Sequence, residues 1–90
     1  MSGPKAPAEQ FTVLYFATAT SYTGREYDFF DAPQSLEQLH DSLEKKYPGI
    51  RVKVLESCAL TVNLDYVDLE DAIEVKAGDE VGIIPPVSSG

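Results

Sequence analysis

From Phe11 to Ala17 the chain reads FTVLYFA, apolar on both faces except at Thr12. A run of aromatic and β-branched residues with no polar face predicts a central strand. Thr18 to Tyr27 is polar and holds Gly24, which reads as a short helical turn and loop. Tyr27 to Phe30 predicts a second, brief strand. Ser35 then opens the strongest helical pattern. Gln38 stands three residues on, as in a capping box. Leu36, Leu39, Leu43 and Tyr47 form one apolar stripe at helical spacing. Asp41 precedes Lys45 by four, and Lys45 and Lys46 fall in the last turn, where cations suit the helix dipole. Pro48-Gly49 stops it. His40, the single histidine, reads as a helix-surface residue beside the stripe.

Beyond the helix, Ile50 to Leu55 alternates and predicts a strand. So does Ala59 to Leu64, where Leu60, Val62 and Leu64 alternate with Ala59, Thr61 and Asn63. Tyr66-Val67 is a short edge piece, and Asp68 to Glu74 an acidic turn or single helical turn. Lys76 to Asp79 is a tight turn around Gly78. Glu80 to Ile84 is the last strand. One helix among short strands describes an α+β domain, the helix packed on one face of a mixed sheet. A β-grasp, ubiquitin-like arrangement fits this order, with the first and last strands parallel at the centre. The expected organisation is a disordered leader over 1–10, the domain over 11–84 and an extended tail over 85–90.

Composition narrows the function. Ninety residues allow one small domain, and 43% apolar content with four Phe and five Tyr can supply its core. Seven Lys+Arg against fifteen Asp+Glu give a net charge of −8. That excludes a nucleic-acid binder working by phosphate neutralisation and argues against docking on anionic membranes. The acid is uneven: residues 61–90 hold seven carboxylates against Lys76 alone. They form either solvated surface or one wall of a docking surface for a basic protein. No stretch approaches the roughly 20 apolar residues of a membrane span, and Met1 to Gln10 lacks a hydrophobic signal region. One cysteine excludes an internal disulfide and suits a reducing, cytoplasmic compartment. Cys58 reads as a small buried hydrophobe. No metal site and no self-contained set of catalytic side chains is apparent.

The unusual feature is the end. The last strand runs into Pro85-Pro86, which cannot continue a ladder, and then Val87-Ser88-Ser89-Gly90. This is either a floppy tail or a slender arm able to enter a narrow tunnel. Its terminal glycine leaves the α-carboxylate unhindered.

Lys76-Ala77-Gly78-Asp79-Glu80-Val81-Gly82-Ile83-Ile84-Pro85-Pro86-Val87 resembles the closing signature of the small subunit family of molybdopterin synthase. These are β-grasp sulfur carriers related to the thiamine sulfur carrier and to ubiquitin-like modifiers. Val13 to Ala17 and Val62-Asn63 also match, so the resemblance covers residues 10–90. The family usually ends Gly-Gly; here Ser89 adds a Cβ and a hydroxyl, implying a slightly wider tunnel. The resemblance implies that a partner, an E1-like adenylyltransferase and sulfurtransferase, uses ATP to adenylate Gly90. Sulfur transfer then leaves a Gly90 thiocarboxylate, which attacks cyclic pyranopterin monophosphate in the large subunit. That subunit would supply the catalytic Lys and Arg groups within a heterotetramer of two small and two large subunits. No cofactor would stay bound to this chain. Phe16, Tyr66 and Ile84 match positions facing the large subunit. They are either ordinary core or an exposed patch rimmed by Asp65, Asp68, Asp79 and Glu80. Two other readings stay open: a sulfur carrier for thiamine or tRNA thiolation, and a non-covalent ubiquitin-like interaction module.

Overall fold

The computed structural model describes residues 4–85. Five strands form the main sheet: β1 (Gln10–Tyr15), β2 (Tyr27–Asp31), β4 (Ala59–Val62), β5 (Asp65–Val67) and β7 (Glu80–Ile84). Their order is β2-β1-β7-β4-β5, with β1 and β7 parallel at the centre and every other pair antiparallel. A two-stranded ladder joins β3 (Gln34–Ser35) to β6 (Glu74–Val75). The helices are α1 (Thr18–Thr23), α2 (Leu36–Lys46) and α3 (Ile50–Lys53). This is a β-grasp, as the element order predicts. Residues 4–9 form no regular element, but the Thr12 hydroxyl donates to the Pro4 carbonyl at 3.0 Å.

Side-chain alternation puts Phe11, Val13 and Tyr15 of β1 on the same face as Val81 and Ile83 of β7. All five pack with Leu36, Leu39 and Leu43 of α2 in one buried cluster. The capping box is present: the Ser35 hydroxyl accepts from Gln38 N–H, and the Gln38 side chain accepts from Ser35 N–H.

The expected strand over Ile50–Leu55 is instead α3 followed by a 3₁₀ turn at Leu55–Ser57. A strand would place Ile50, Val52 and Val54 on one face. Here Ile50 and Val54, four apart, are buried, while Val52 is 68% exposed. Gly49 takes φ 92°, and the Glu44 carboxylate accepts from Gly49 N–H (2.7 Å) and Arg51 N–H (3.0 Å). These bonds cap the new turn and hold Glu44 below the usual carboxylate range. His40 is also not on the surface. Its ring is buried, with Nδ1 3.0 Å from the Leu36 carbonyl, and burial pushes its pKa below the ordinary value. The alternation over Ala59–Leu64 ends early, since Asn63 and Leu64 form a turn and Leu64 is 65% exposed. The segment 68–74 contains a turn, with Asp71 N–H donating to the Asp68 carbonyl, before β6.

One buried charge braces the fold. Asp28, on β2, is 2% exposed. Its carboxylate accepts from Tyr15 Oη (2.9 Å), Lys46 Nζ (3.0 Å) and the Tyr47 hydroxyl, and pairs with Arg25 Nε at 2.8 Å. The group thus ties β1 and β2 to the end of α2. Burial by itself would raise the Asp28 pKa, but the bonds from Tyr47, Lys46 and Tyr15 outweigh it and hold the pKa down. Burial, then the bond to Asp28, pushes the Tyr47 phenol up to about 12.

A carboxyl depressed in the folded state stabilises fully above its unfolded pKa, about 3.9, and loses that contribution as acid approaches the folded value. Stability to urea is therefore expected to fall as pH drops below about 4, and Asp28→Asn should flatten this acid limb. Asp28→Ala, which strands buried hydroxyls, should cost about 1–3 kcal/mol. An acid limb identical in Asp28→Asn would remove Asp28 as its cause.

Candidate functional site

The core takes one face of the sheet, so the alternate residues occupy the other. Along β1 these are Thr12 and Leu14, with Phe16 next along the chain; along β7 they are Glu80, Gly82 and Ile84. The register brings them into rows. Gly82 stands between Leu14 and Thr61, and Thr61 pairs with Tyr66 on β5. Among the described residues, the leucines of α2 pack on the opposite face.

Gly82 is the low point of the row. A Cβ there would lie 2.6 Å from the Thr61 hydroxyl and 3.7 Å from the Ile84 side chain. Its missing side chain opens a shallow depression of about 200 Å³. Leu14, Phe16, Leu64, Tyr66 and Ile84 make its apolar lining, with Glu80 beside them. The sequence-predicted Phe16, Tyr66 and Ile84 therefore come together, from three different strands or strand ends. Tyr66 is 73% exposed; Phe16 and Ile84 are half-buried. Pro85 follows at once, half-buried at the end of β7. The remaining tail residues singled out in the sequence, Pro86, Val87, Ser88, Ser89 and Gly90, lie outside the described residues.

The four expected rim carboxylates divide. Asp65 and Asp68 are exposed, and Asp68 lines a different depression. Both oxygens of Asp79 are used: Oδ2 accepts from Lys76 N–H (2.8 Å) and Oδ1 from the Asn63 amide (3.1 Å). Glu80 stands at the rim itself. A larger depression of about 530 Å³ lies between β5 and the helical layer, lined by His40, Leu55, Cys58 and Leu69 among others. It touches no residue of β7. Cys58 is half-buried there, and burial pushes its thiol pKa up. Among the described residues no cluster of His, Cys, Asp and Glu could hold a metal ion. Nor is any helix among them long and apolar enough to cross a membrane.

Sequence reasoning missed two parts of this site. Leu64 reads as a strand residue because it continues the alternation of Leu60 and Val62. Gly82 carries no local signal, because the need for glycine comes from Thr61 on a neighbouring strand.

The ThiS family matches residues 13–90. The molybdopterin synthase sulfur carrier subunit of Pyrenophora tritici-repentis is 53% identical, with 100% of both chains covered. Among solved structures, a putative molybdopterin converting factor subunit 1 from Pyrococcus furiosus superposes with a TM-score of 0.73. It is 25% identical, over 89% of this chain and 100% of that one. A chain from the complex of subunits 1 and 2 of the molybdopterin-converting factor of Helicobacter pylori superposes with a TM-score of 0.66. It is 28% identical, over 90% of this chain and 99% of that one.

The close approach at Gly82 is testable by calorimetric melting. Gly82→Ala should destabilise the domain by about 1 kcal/mol through overpacking. Adding Thr61→Ala should relieve most of that loss, because the obstructing atom is the Thr61 hydroxyl. Purely additive costs would show that the crowding lies elsewhere.

Proposed function

The chain belongs to the ThiS family, and from that membership we propose that it works as the sulfur carrier subunit of a molybdopterin synthase. The observation carrying this reading is where the apolar patch lies. Phe16, Tyr66 and Ile84 ring one depression at the end of β7, immediately before Pro85, where the chain leaves the sheet. A partner seated on that patch receives the tail in a fixed direction. Aromatic and aliphatic anchors in an exposed patch suit an interface centre. The partner is the large subunit, and the likeness to a chain solved in a complex of subunits 1 and 2 supports it.

The reacting group in this reading is the carboxylate of Gly90. A carboxylate is anionic at pH 7 and a poor acyl donor. An E1-like enzyme couples it to ATP, forming the acyl-adenylate and releasing pyrophosphate. A sulfide-equivalent nucleophile then displaces AMP, leaving a thiocarboxylate. Pro85, Pro86, Val87, Ser88 and Ser89 carry this sulfur into the large subunit, where it attacks cyclic pyranopterin monophosphate. In this reading the large subunit contributes the catalytic Lys and Arg groups. Two copies of each subunit form the working assembly, in the reducing cytoplasm that a lone thiol suits.

Incubation with ATP, the activating enzyme and a sulfur source should raise the intact mass by about 16 Da, sulfur replacing oxygen. Deleting Gly90 should abolish both the gain and product formation. A wild-type chain that binds the large subunit without any gain would be a non-covalent module. Separately, Tyr66→Ala should weaken large-subunit binding by about 1–3 kcal/mol. Because Tyr66 is exposed, the melting temperature should scarcely move. A large loss of stability with unchanged binding would remove Tyr66 from the interface.

A further inference from the structure

The two residues joining β4 to β5 are Asn63 and Leu64, and the ladder closes beside them at Val62 and Asp65. Both have positive φ, 50° and 76°. That pair of signs is the type I′ hairpin turn, whose preferred sequence is Asn-Gly. Asn63 satisfies the preference and Leu64 violates it. A bulky residue in the left-handed region is strained, and such strain persists where the surroundings impose it. The surroundings here do. Asn63 N–H donates to the Glu80 carbonyl at 2.8 Å, and its side-chain oxygen accepts from Glu80 N–H at 3.0 Å. Its amide nitrogen donates to Asp79 at 3.1 Å. The turn is thereby fastened to the start of β7.

Leu64 gains little from this within its own chain, since its side chain is 65% exposed. What the strain achieves is position. Leu64 is held at the rim of the depression shared with Phe16, Tyr66 and Ile84. A glycine would make the better turn and leave the rim without its knob. We propose that Leu64 is a specificity-determining anchor of the docking face, preformed to enter an apolar socket on the large subunit. The chain's net charge of −8, with Glu80 among the residues lining the depression, favours a partner carrying basic groups around that socket. Charge also argues against a second copy of this chain as occupant, since each carries −8. Asn63 is the positioning residue. The inference rests on the functional reading above.

The test is titration of the full chain against the purified large subunit, with melting of each variant. Leu64→Gly should keep or raise the melting temperature, because glycine relieves the left-handed strain. The same change should weaken binding about tenfold, as expected of a residue whose truncation costs more than about 1 kcal/mol. Leu64→Ala should weaken binding similarly. Val52→Ala, at an equally exposed position on α3, should bind as wild type does. Wild-type affinity in both Leu64 variants overturns this inference and leaves the carrier reading intact. Failure of the wild-type chain to bind the large subunit overturns both. Wild-type dimers in sedimentation that Leu64→Gly converts to monomers would assign the face to a second copy and overturn the partner named here.

Discussion

Parallel pairing of β1 with β7 joins the two ends of the domain side by side, and this constraint dictates most of what surrounds it. Parallel neighbours cannot be joined by a tight turn, so the chain between them must cross over the sheet. α2 does so with its leucine stripe down, covering Phe11, Val13 and Tyr15 together with Val81 and Ile83. The same pairing sets Val13 against Val81 and Tyr15 against Ile83. It therefore brings Phe16 and Ile84 to the same end of the sheet, one residue beyond. A C-terminal segment leaving β7 thus starts from the middle of the molecule, flanked by strands on both sides.

The edge of this arrangement is secured differently. β2 touches only β1 within the sheet; Phe30 packs half-buried against the core, and the fully buried side chain of the strand is a carboxylate, Asp28. Asp28 is tolerated there because two phenols, an ammonium and a guanidinium converge on it. A buried charge so fully bonded adds geometric definition more surely than it adds stability. It fixes where the C-terminal end of α2 sits over the sheet. The segment after α2 depends on a similar device, the Glu44 carboxylate that caps α3.

The two faces of the sheet follow opposite rules. The helix-covered face is filled with large side chains in close contact. The open face holds a glycine at its centre, a leucine in a left-handed turn and a tyrosine in solvent. The leucine and the tyrosine depart from what stability alone would select, the glycine is demanded by the Thr61 hydroxyl, and all three border the same depression. Departures from local consistency are expected at functional or strained sites.

The sequence by itself determined the elements whose signals are local. The capping box at Ser35 and Gln38, the leucine stripe, the stop at Pro48-Gly49 and the apolar density of the two central strands each lie within a few residues. Together they were enough to specify a β-grasp, and the closing signature around Gly78 to Val87 was enough to point to the family. Tertiary structure decided the rest. Ile50 to Leu55 alternates as a strand does, yet packing selects the helical reading because it buries Ile50 and Val54 and releases Val52. His40 sits beside the stripe in sequence and is buried in the fold, where it lines one depression with Leu55 and Val67. Leu64 continues an alternation that the turn at Asn63 breaks. Asp28 gives no sign in sequence of the four partners that gather on it. In each of these cases the deciding contacts come from residues far along the chain or from a competing packing arrangement, and periodicity reports only on neighbours.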